Sequence, residues 1–440
     1  MTKEFAYYET YPKVHPVGRP SHVTIRPLGK HAAFDPERTY VVQILPMEEQ
    51  LHPYQGENDM NYPHFEYRSC DGAIHFDWTF EEEEEYLIRV FLPPELNKHK
   101  SVTTQRVYAV QEDLYALRPY MADFHIHTTY SDGKEAPAYV AASYRKKGFD
   151  IIAITDHRTM EGSLEAIEAY KDAPIDLMLY RGEEIHLDHE FEKPYEQDTH
   201  NINIGGRGSV NTLARADKAA YYAQMKDYMD KHPQPAGVDA AAVASTHWIY
   251  EKTRELGGMS IFCHPHWKEN VYHVSQKLLD RLFELQEFDV FELLGGQEVD
   301  ENNCQTAYYV EKRAEGKQVP IVGSSDSHGT IEREYFNWFK TIVFAKSKAF
   351  EDVKDAITGL YSVAVEEYRG ESPRVHGPYR LVKYALFLLK AWFPVHDELC
   401  AEEGRQMFGY INGDETAGRL LAMMQGRTER LLDKYLGKAD

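Results

Sequence analysis

The sequence predicts a mixed α/β protein, in which an α/β barrel follows a small β domain and precedes a helical tail. Three observations favour this fold class. Apolar and polar residues alternate with period two between Ser21 and Val110, short apolar strands alternate with helical stretches from Ala122, and helical pattern returns after Glu366. Period two is typical of half-buried strands, and alternating strands and helices are typical of β/α folds.

Length and composition agree with several globular domains. A chain of 440 residues is longer than one ordinary core requires, so two or three domains are expected. Hydrophobic residues make up 42% of the chain, which argues against a disordered protein. No stretch approaches the roughly 20 apolar residues of a membrane span, and the N-terminus lacks the apolar core of a signal peptide. A cytoplasmic location is therefore expected.

The charge balance limits the partners. With 49 Lys and Arg against 71 Asp and Glu, the formal net charge is −22. This excess argues against long nucleic acids and anionic membranes as partners, whereas bound cations could still hold a small phosphorylated substrate. The four cysteines are far apart and include no Cys-x-x-Cys pair. They indicate neither a disulfide scaffold nor a thiolate zinc site.

Residues 1–118 are predicted to form the β domain. Its clearest strand has the apolar residues Ile74, Phe76, Trp78 and Phe80 at alternate positions. Four further strands are predicted, at His22–Arg26, Thr39–Leu45, Tyr86–Leu92 and Gln105–Val110. Turns containing Pro, Gly and Asp separate them, so a small antiparallel sandwich is expected.

Residues 119–372 carry the barrel pattern. Strands are predicted at Asp123–Ile126, Ile151–Thr155, Leu177–Arg181, Ser260–Cys263, Val290–Leu293, Pro320–Gly323 and Thr341–Phe344, with an additional one at Ile202–Ile204. Helices are predicted between them, including Ala136–Lys147, Leu164–Tyr170, Ala242–Glu255, Ser275–Leu285 and Gln305–Glu315. Seven or eight such units over about 250 residues match the size of an α/β barrel.

Two segments extend the barrel. The insert 186–243 is long for a barrel connection and carries a predicted helix near Asn211–Asp230, so it is expected to form a wall or lid of the site. The tail 373–440 is helical, with a strongly apolar stretch at Tyr379–Phe393. We expect this stretch to pack against the barrel, and an oligomer interface is the alternative.

Residues of the types that bind metals follow the predicted barrel strands. They are His125, His127, Asp132, His157, Glu184, His200, His264, Asp326 and His328. His125 and His127 are two residues apart, which on a strand places both imidazoles on one face. Catalytic groups of α/β barrels gather at the carboxyl ends of the strands, so the sequence predicts a metal site there.

In order along the chain, the motifs around these residues are His-x-His-x-x-x-x-Asp-Gly, Thr-Asp-His, Gly-x-Glu, a His before a glycine-containing turn, His-Pro, and Ser-Asp-x-His. Over about residues 121–370 they resemble the polymerase and histidinol phosphatase (PHP) superfamily of metal-dependent phosphoesterases. The resemblance implies a distorted seven-stranded barrel with a trinuclear metal site. It implies nothing about the β domain or the helical tail.

The resemblance also implies how the ligands divide. The first metal position would use His125, His127, Glu184 and Asp326. Glu184 would bridge to the second metal position, which adds His200 and His264. The third metal position would use Asp132, His157 and His328. Mixed histidine and carboxylate ligands leave manganese, iron and zinc open as the divalent ions, up to three in number.

Neighbouring residues are candidates for other roles. Asp156 is expected to orient a histidine ligand, and His266 is a candidate to contact substrate or protonate a leaving group. Three cations are candidates to bind phosphate: Arg158, Arg207 and Lys268. Glu183 is an alternative to Glu184 as the bridge, and the glycine-containing run 205–208 is an alternative anion cradle. Five histidines without partner spacing are predicted to lie at the surface: His15, His22, His31, His186 and His189.

The leading function is hydrolysis of a small phosphate mono- or diester by metal-bound hydroxide. An amidohydrolase is an alternative, but it commonly bridges its metals with a modified lysine where this chain has Glu184. Within the phosphoesterases, an exonuclease is a second alternative, although the net charge disfavours it. A non-enzymatic scaffold with a binding β domain is the third, and the presence of a suitable residue at all nine expected ligand positions argues against it.

Overall fold

The computed structural model describes residues 7–49, 62–96, 100–187, 199–268, 270–368 and 371–438. The chain forms two compact units. The first unit comprises residues 1–117, 383–396 and 426–440, and the second unit comprises residues 118–382 and 397–425. The predicted tail 373–440 is therefore not a unit of its own, and most of the apolar stretch Tyr379–Phe393 belongs to the first unit and not, as expected, to the barrel. Among the residues described, no helix is both long and apolar enough to cross a bilayer.

The first unit contains two sheets. A three-stranded sheet has the order β1 (Tyr8–Tyr11), β3 (Pro20–Pro27) and β6 (Ile74–Thr79). A five-stranded sheet has the order β2 (Val14–Pro16), β8 (Thr103–Val110), β7 (Glu85–Phe91), β4 (Tyr40–Pro46) and β5 (His64–Tyr67). Every neighbouring pair is antiparallel except β2 and β8. A four-residue helix, α1 (Glu112–Tyr115), follows β8.

One apolar core joins the faces of these two sheets. Val23 and Ile74 from the three-stranded sheet share an apolar cluster with Ile44 and Ile88 from the five-stranded sheet. Burial alternates at the start of β6, because Ile74 and Phe76 are buried whereas His75 between them and Asp77 after them are not. Hydrophobic burial of one strand face thus produces the period-two pattern of the sequence.

The second unit also contains two sheets. The six-stranded sheet has the order β11 (Met178–Tyr180), β10 (Ile151–Ala153), β9 (Arg118–Asp123), β17 (Phe339–Ala345), β18 (Ser362–Glu366) and β19 (Arg374–His376). The five-stranded sheet has the order β12 (Gly182–Ile185), β13 (Asn201–Ile204), β14 (Met259–Phe262), β15 (Val290–Leu294) and β16 (Ile321–Gly323). Two isolated parallel bridges link these sheets, Ile126 to Ser327 and His157 to Glu184.

Each predicted barrel strand overlaps one of these strands, but two run against the expected direction. β13 is antiparallel to both neighbours, β12 and β14. β17, the predicted strand at Thr341–Phe344, is antiparallel to β9. A sequence pattern indicates that a strand is buried but not in which direction it runs. The sequence therefore did not predict the directions of β13 and β17.

Helices connect the strands as predicted. They are α2 (Pro137–Lys146), α3 (Glu161–Tyr170), α4 (Val210–Ala216), α5 (Lys218–Lys231), α6 (Ala240–Glu255), α7 (Gln276–Leu285), α8 (Val299–Ala314) and α9 (Phe350–Thr358). The helix predicted near Asn211–Asp230 is divided between α4 and α5. Asp217 separates them, and its carboxylate accepts a hydrogen bond from the amide of Ala220 in the first turn of α5. An aspartate at this capping position starts a helix, which explains the break.

The chain ends in helices, as predicted. These are α10 (Tyr379–Ala391), α11 (Phe393–Ile411), α12 (Glu415–Met424) and α13 (Arg427–Tyr435). Within the second unit, Glu403 of α11 accepts two hydrogen bonds from the buried guanidinium of Arg145 in α2, at 2.8 and 3.0 Å. This segment of the tail is therefore fastened to the second unit by a buried ion pair.

Candidate metal centre

The strand ends of the second unit bring all nine predicted ligands together at one edge. Eight of the nine belong to or follow strands that run in the same direction, namely β9, β10, β12, β14 and β16. His200 instead precedes β13, and β13 is antiparallel to its neighbours. The amino end of an antiparallel strand lies at the carboxyl ends of its neighbours, so His200 joins the others by a route that the sequence did not predict.

Glu184 lies at the centre of the ligands. Its side chain is 1% exposed. Nitrogens of six imidazole rings lie within 3.4 Å of its two carboxylate oxygens, those of His125, His127, His157, His186, His200 and His264. The neighbouring Glu183 is directed elsewhere, because its carboxylate accepts hydrogen bonds from Ser209, Val210 and Asn211. The geometry therefore favours Glu184 over Glu183 as a bridging ligand.

The residues predicted for the first metal position are in contact. Asp326 Oδ1 lies 2.9 Å from His127 Nε2 and 3.2 Å from His125 Nε2. Asp326 and His264 both have positive φ angles, 48° and 23°. Few residues other than glycine adopt this backbone, and such strain is concentrated at functional sites. Both residues are thus held in conformations that the local sequence does not favour.

The residues predicted for the third metal position also converge. Asp132 Oδ1 lies 3.3 Å from His328 Nε2 and 3.6 Å from His157 Nε2. His127 Nδ1 is 4.0 Å from the same oxygen, so the two ring nitrogens of His127 face different groups of ligands. The Asp132 side chain is 58% exposed. This end of the cluster is therefore open to solvent, in contrast to the buried Glu184.

The chemistry of the buried donors fits bound cations. His125 Nε2, His200 Nδ1, His264 Nδ1 and both oxygens of Glu184 are buried without a hydrogen-bond partner. His200 Nδ1 is 2.8 Å from Glu184 Oε1, yet the contact lacks hydrogen-bond geometry. Buried polar atoms are normally hydrogen-bonded, so unsatisfied nitrogens crowded around a carboxylate indicate a place for metal ions. Overlapping groups of these residues have the spacing to hold such ions.

Electrostatics in the cluster favour charged carboxylates. Burial opposes ionisation of Glu184, but the surrounding histidines, His125 foremost, hold the pKa of Glu184 well below its usual value. Burial likewise opposes protonation of His157, yet Glu184 and Asp132 raise the pKa of His157 to about 10. For His200 burial dominates, together with the nearby His186, and lowers its pKa well below the usual value.

Asp156 supports the cluster through the loop that follows His127. It was expected to orient a histidine, and its carboxylate accepts hydrogen bonds from Thr128 N and Oγ1, both at 2.7 Å, and from Ser131 Oγ at 2.8 Å. These contacts hold the loop between His127 and Asp132. Ser131 Oγ also lies 3.4 Å from His127 Nδ1, so Asp156 acts on a histidine ligand through Ser131 and on Asp132 through the loop.

Two residues near the ligands were missed. Glu292 is fully buried and its Oε2 lies 2.8 Å from His125 Nδ1, the arrangement by which carboxylates orient histidine ligands. The sequence signal that could have identified Glu292 is a charged residue inside the apolar strand β15. His186 was predicted to be at the surface, but its side chain is only 12% exposed and its Nε2 lies 3.0 Å from His157 Nδ1. Its position two residues after Glu184 could have indicated the shared strand face.

The other histidines differ in their exposure to solvent. His22 and His31 are exposed as predicted, and His189 lies outside the described residues. His15 was predicted to be at the surface but is fully buried. His266 is buried with its ring 5.7 Å from Tyr272 and 6.0 Å from Tyr308, measured between centroids. Its ring is packed against these tyrosines, and among the residues described its Nδ1 is buried without a hydrogen-bond partner.

Of the three predicted phosphate ligands, only Arg158 adjoins the cluster. It follows His157, and its amide donates to the carbonyl of Glu184 at 2.8 Å. Arg207 lies beyond the opposite end of β13 from His200, where its guanidinium donates to the carbonyl of Glu255. The run 205–208 lies at that same far end. Lys268 is paired with Asp300 at 2.6 Å.

Part of this chain is similar to known proteins. A model of the PHP domain matches residues 123–295. This span includes seven of the nine predicted ligands, since only Asp326 and His328 lie beyond it. An uncharacterised protein of Methanocaldococcus jannaschii is 35% identical over 69 residues, a match that covers 13% of this chain and 40% of that protein.

Two solved structures resemble part of this chain. A two-domain protein from Bacteroides vulgatus, described as containing a predicted PHP-like metal-dependent phosphoesterase, has a TM-score of 0.40 and 14% identity over 57% of this chain and 66% of that chain. A candidate metal-dependent phosphoesterase from Bifidobacterium adolescentis has a TM-score of 0.34 and 21% identity, covering 48% and 88%. Scores this low carry no argument about function. The domain match covers seven of the nine predicted ligands, and residues 123–295 are therefore identified as a PHP domain.

Proposed function

We propose that the protein is a metal-dependent phosphoesterase that hydrolyses a small phosphate mono- or diester. The observation that carries this proposal is the convergence of six histidines on the buried carboxylate of Glu184. The PHP domain, whose superfamily is associated with phosphoesterases, supports the same chemistry. Burying a carboxylate among imidazole nitrogens that lack hydrogen-bond partners costs free energy of folding. Such an arrangement does not stabilise the fold, so a functional role explains why it is present.

The ligands divide among three metal positions in this proposal. The first metal position uses His125, His127, Glu184 and Asp326, the second uses Glu184, His200 and His264, and the third uses Asp132, His157 and His328. Manganese, iron and zinc all suit such mixed ligands. When bound, these ions would lower the pKa of water and neutralise charge on a phosphoryl group.

The chain's own residues determine where a substrate would bind. His125, His264 and Glu184 are buried and form the floor of the cluster, whereas Asp132 is exposed. The phosphoryl group would therefore enter from the side of Asp132. Asp156 would keep the loop of Asp132 in place, and Glu292 would hold His125 in one orientation. His266 lies two residues after the ligand His264 and would be the candidate to protonate a leaving group.

The barrel closure belongs to the same proposal. The bridges Ile126 to Ser327 and His157 to Glu184 connect the two sheets of the second unit at the edge where the ligands lie. We propose that β11 and β12 count as one kinked strand. This kinked strand would then complete a distorted ring of seven strands, whose other members are β9, β10, β13, β14, β15 and β16. β17 would pair with β9 outside the ring.

A phosphatase panel tests the proposal. The purified protein, reloaded with manganese or zinc, is assayed on nucleoside monophosphates, bisphosphates, sugar phosphates and histidinol phosphate, with metal content measured on the same samples. We expect hydrolysis that disappears on chelation and in His125→Ala, with His31→Ala as an exposed histidine control. A folded, metal-loaded protein that hydrolyses no phosphate ester but cleaves an amide would favour the amidohydrolase alternative instead.

A further inference from the structure

The two carboxylate oxygens of Glu184 face different groups of histidines. Oε1 has three imidazole nitrogens within 3.4 Å, namely His186 Nε2, His200 Nδ1 and His264 Nε2. The three nitrogens beside Oε2 belong to His125, His127 and His157. The division proposed above assigns two of the Oε1 histidines to the second metal position and leaves His186 without a role.

The position of His186 follows from the strand that carries Glu184. β12 ends at Ile185, whose side chain packs in an apolar core of the second unit. His186 is two residues after Glu184, so its side chain lies on the face of the carboxylate, opposite to Ile185. The side chain of His186 is only 12% exposed. The strand therefore holds this imidazole beside Glu184.

The nitrogens around Oε1 are arranged as metal ligands and not as hydrogen-bond donors. Among the residues described, Glu184 Oε1 accepts no hydrogen bond, although His200 Nδ1 is 2.8 Å away. The rings of His186 and His200 have centroids 3.8 Å apart and planes inclined by 39°. The rings of His200 and His264 are nearly perpendicular, with centroids 4.9 Å apart. Three differently inclined rings around one unsatisfied oxygen indicate a place for a cation.

We infer that His186 is an additional ligand of the second metal position, which three imidazoles and one carboxylate would then hold. The inference rests on the metal positions of the proposed function. Four ligands of this kind match the tetrahedral coordination of zinc, and imidazole suits zinc better than manganese. A position with four protein ligands is typical of zinc ions with a structural role. The second ion would therefore chiefly hold Glu184 in place.

The proximity of His186 to His157 offers a competing explanation. His186 Nε2 lies 3.0 Å from His157 Nδ1, so His186 would instead orient a ligand of the third metal position. However, His157 Nδ1 is also 2.6 Å from Glu184 Oε2. A charged carboxylate is the stronger partner of a ring N–H, so His157 does not need His186 to fix its orientation. The two explanations differ in which metal position loses affinity when His186 is replaced.

Zinc binding measured against a competing chelator tests the inference without catalysis. His186→Ala should weaken zinc at one position by at least about tenfold, because removal of a group that only orients a ligand already costs about 10–100-fold. His232→Ala removes an exposed histidine that follows α5 in the same unit and should leave zinc affinity unchanged. Circular dichroism checks that both variants fold. A folded His186→Ala protein that binds zinc like the parent would overturn the inference.

Double variants identify the metal position that His186 serves. His200→Ala already lacks a ligand of the second position, so adding His186→Ala should cause little further loss of zinc. Asp132→Asn affects the third position, so adding His186→Ala should there remove a further ion. The reverse pattern would assign His186 to the orientation of His157 and would overturn the inference.

Anomalous diffraction at the zinc edge tests the inference on the unaltered protein, so it does not depend on the folding of any variant. A zinc peak should lie within about 2.0–2.1 Å of His186 Nε2. A peak that is bound by His200 and His264 but lies beyond bonding distance of His186 would overturn the inference and leave the proposed function intact. If zinc binds His186 but the protein hydrolyses no phosphate ester, the proposed function fails while the inference stands.

Discussion

Substitution of Asp132 by asparagine should remove one metal ion and leave the others. The change preserves the size of the side chain and removes its charge. Asp132 Oδ1 lies 3.3 Å from His328 Nε2 and 3.6 Å from His157 Nε2, and no contact with Glu184 or Asp326 is described for it. The loss should therefore be confined to the third metal position.

The size of the effect follows from exposure. The Asp132 side chain is 58% exposed, so water screens its charge more than that of a buried ligand. We expect affinity at the third metal position to fall by at least about 10–100-fold, the range found when a group that only orients a metal ligand is removed. That range corresponds to about 1.4–2.8 kcal/mol of binding free energy.

Metal content measured against a competing chelator provides the assay. Asp132→Asn should lose the most weakly held ion first, whereas His127→Ala should chiefly weaken the first metal position, because its Nε2 lies 2.9 Å from Asp326 Oδ1. Circular dichroism of both variants checks that they fold. If the two variants lose the same single ion, the division of ligands proposed here is wrong.

Three further predictions concern buried groups. Glu292→Gln should weaken metal binding through His125 by about 10–100-fold while leaving the protein folded, as measured by metal competition. Arg145→Leu should destabilise the protein by about 3–5 kcal/mol in urea unfolding, because it leaves the Glu403 carboxylate without its buried partner. Burial lowers the pKa of His15 to about 3. Below about pH 6.5, this histidine therefore binds a proton in the unfolded chain but stays neutral in the folded chain. Stability should then fall by about 2 kcal/mol between pH 7 and 5, and His15→Phe should abolish this part of the loss in urea titrations at both pH values.

Strands and ligands could be predicted because both leave local marks in the sequence. Burial of one face imposes period two on β6, and His125 and His127 share a face because they are two residues apart. The same rule applied to Glu184 and His186 would have placed His186 beside the cluster. The surface prediction for His186 is wrong because it neglects the strand that directly precedes this residue.

Other features depend on contacts between distant parts of the chain. Arg207 seemed near His200 along the sequence, but an antiparallel β13 carries it to the opposite end of the sheet. Lys268 is engaged by Asp300 of α8, a pairing over 32 positions that no local pattern reveals. Strand direction and ion pairing thus limited the prediction of substrate contacts more than that of metal ligands.

Anomalous diffraction from crystals grown with manganese tests the central claim most directly. The claim is that Glu184 is the carboxylate around which the metal positions are built. We predict anomalous peaks within about 2.0–2.3 Å of Glu184 oxygens, with a further peak between Asp132 and His328. A well-ordered, manganese-soaked crystal with no peak near Glu184 would contradict the account.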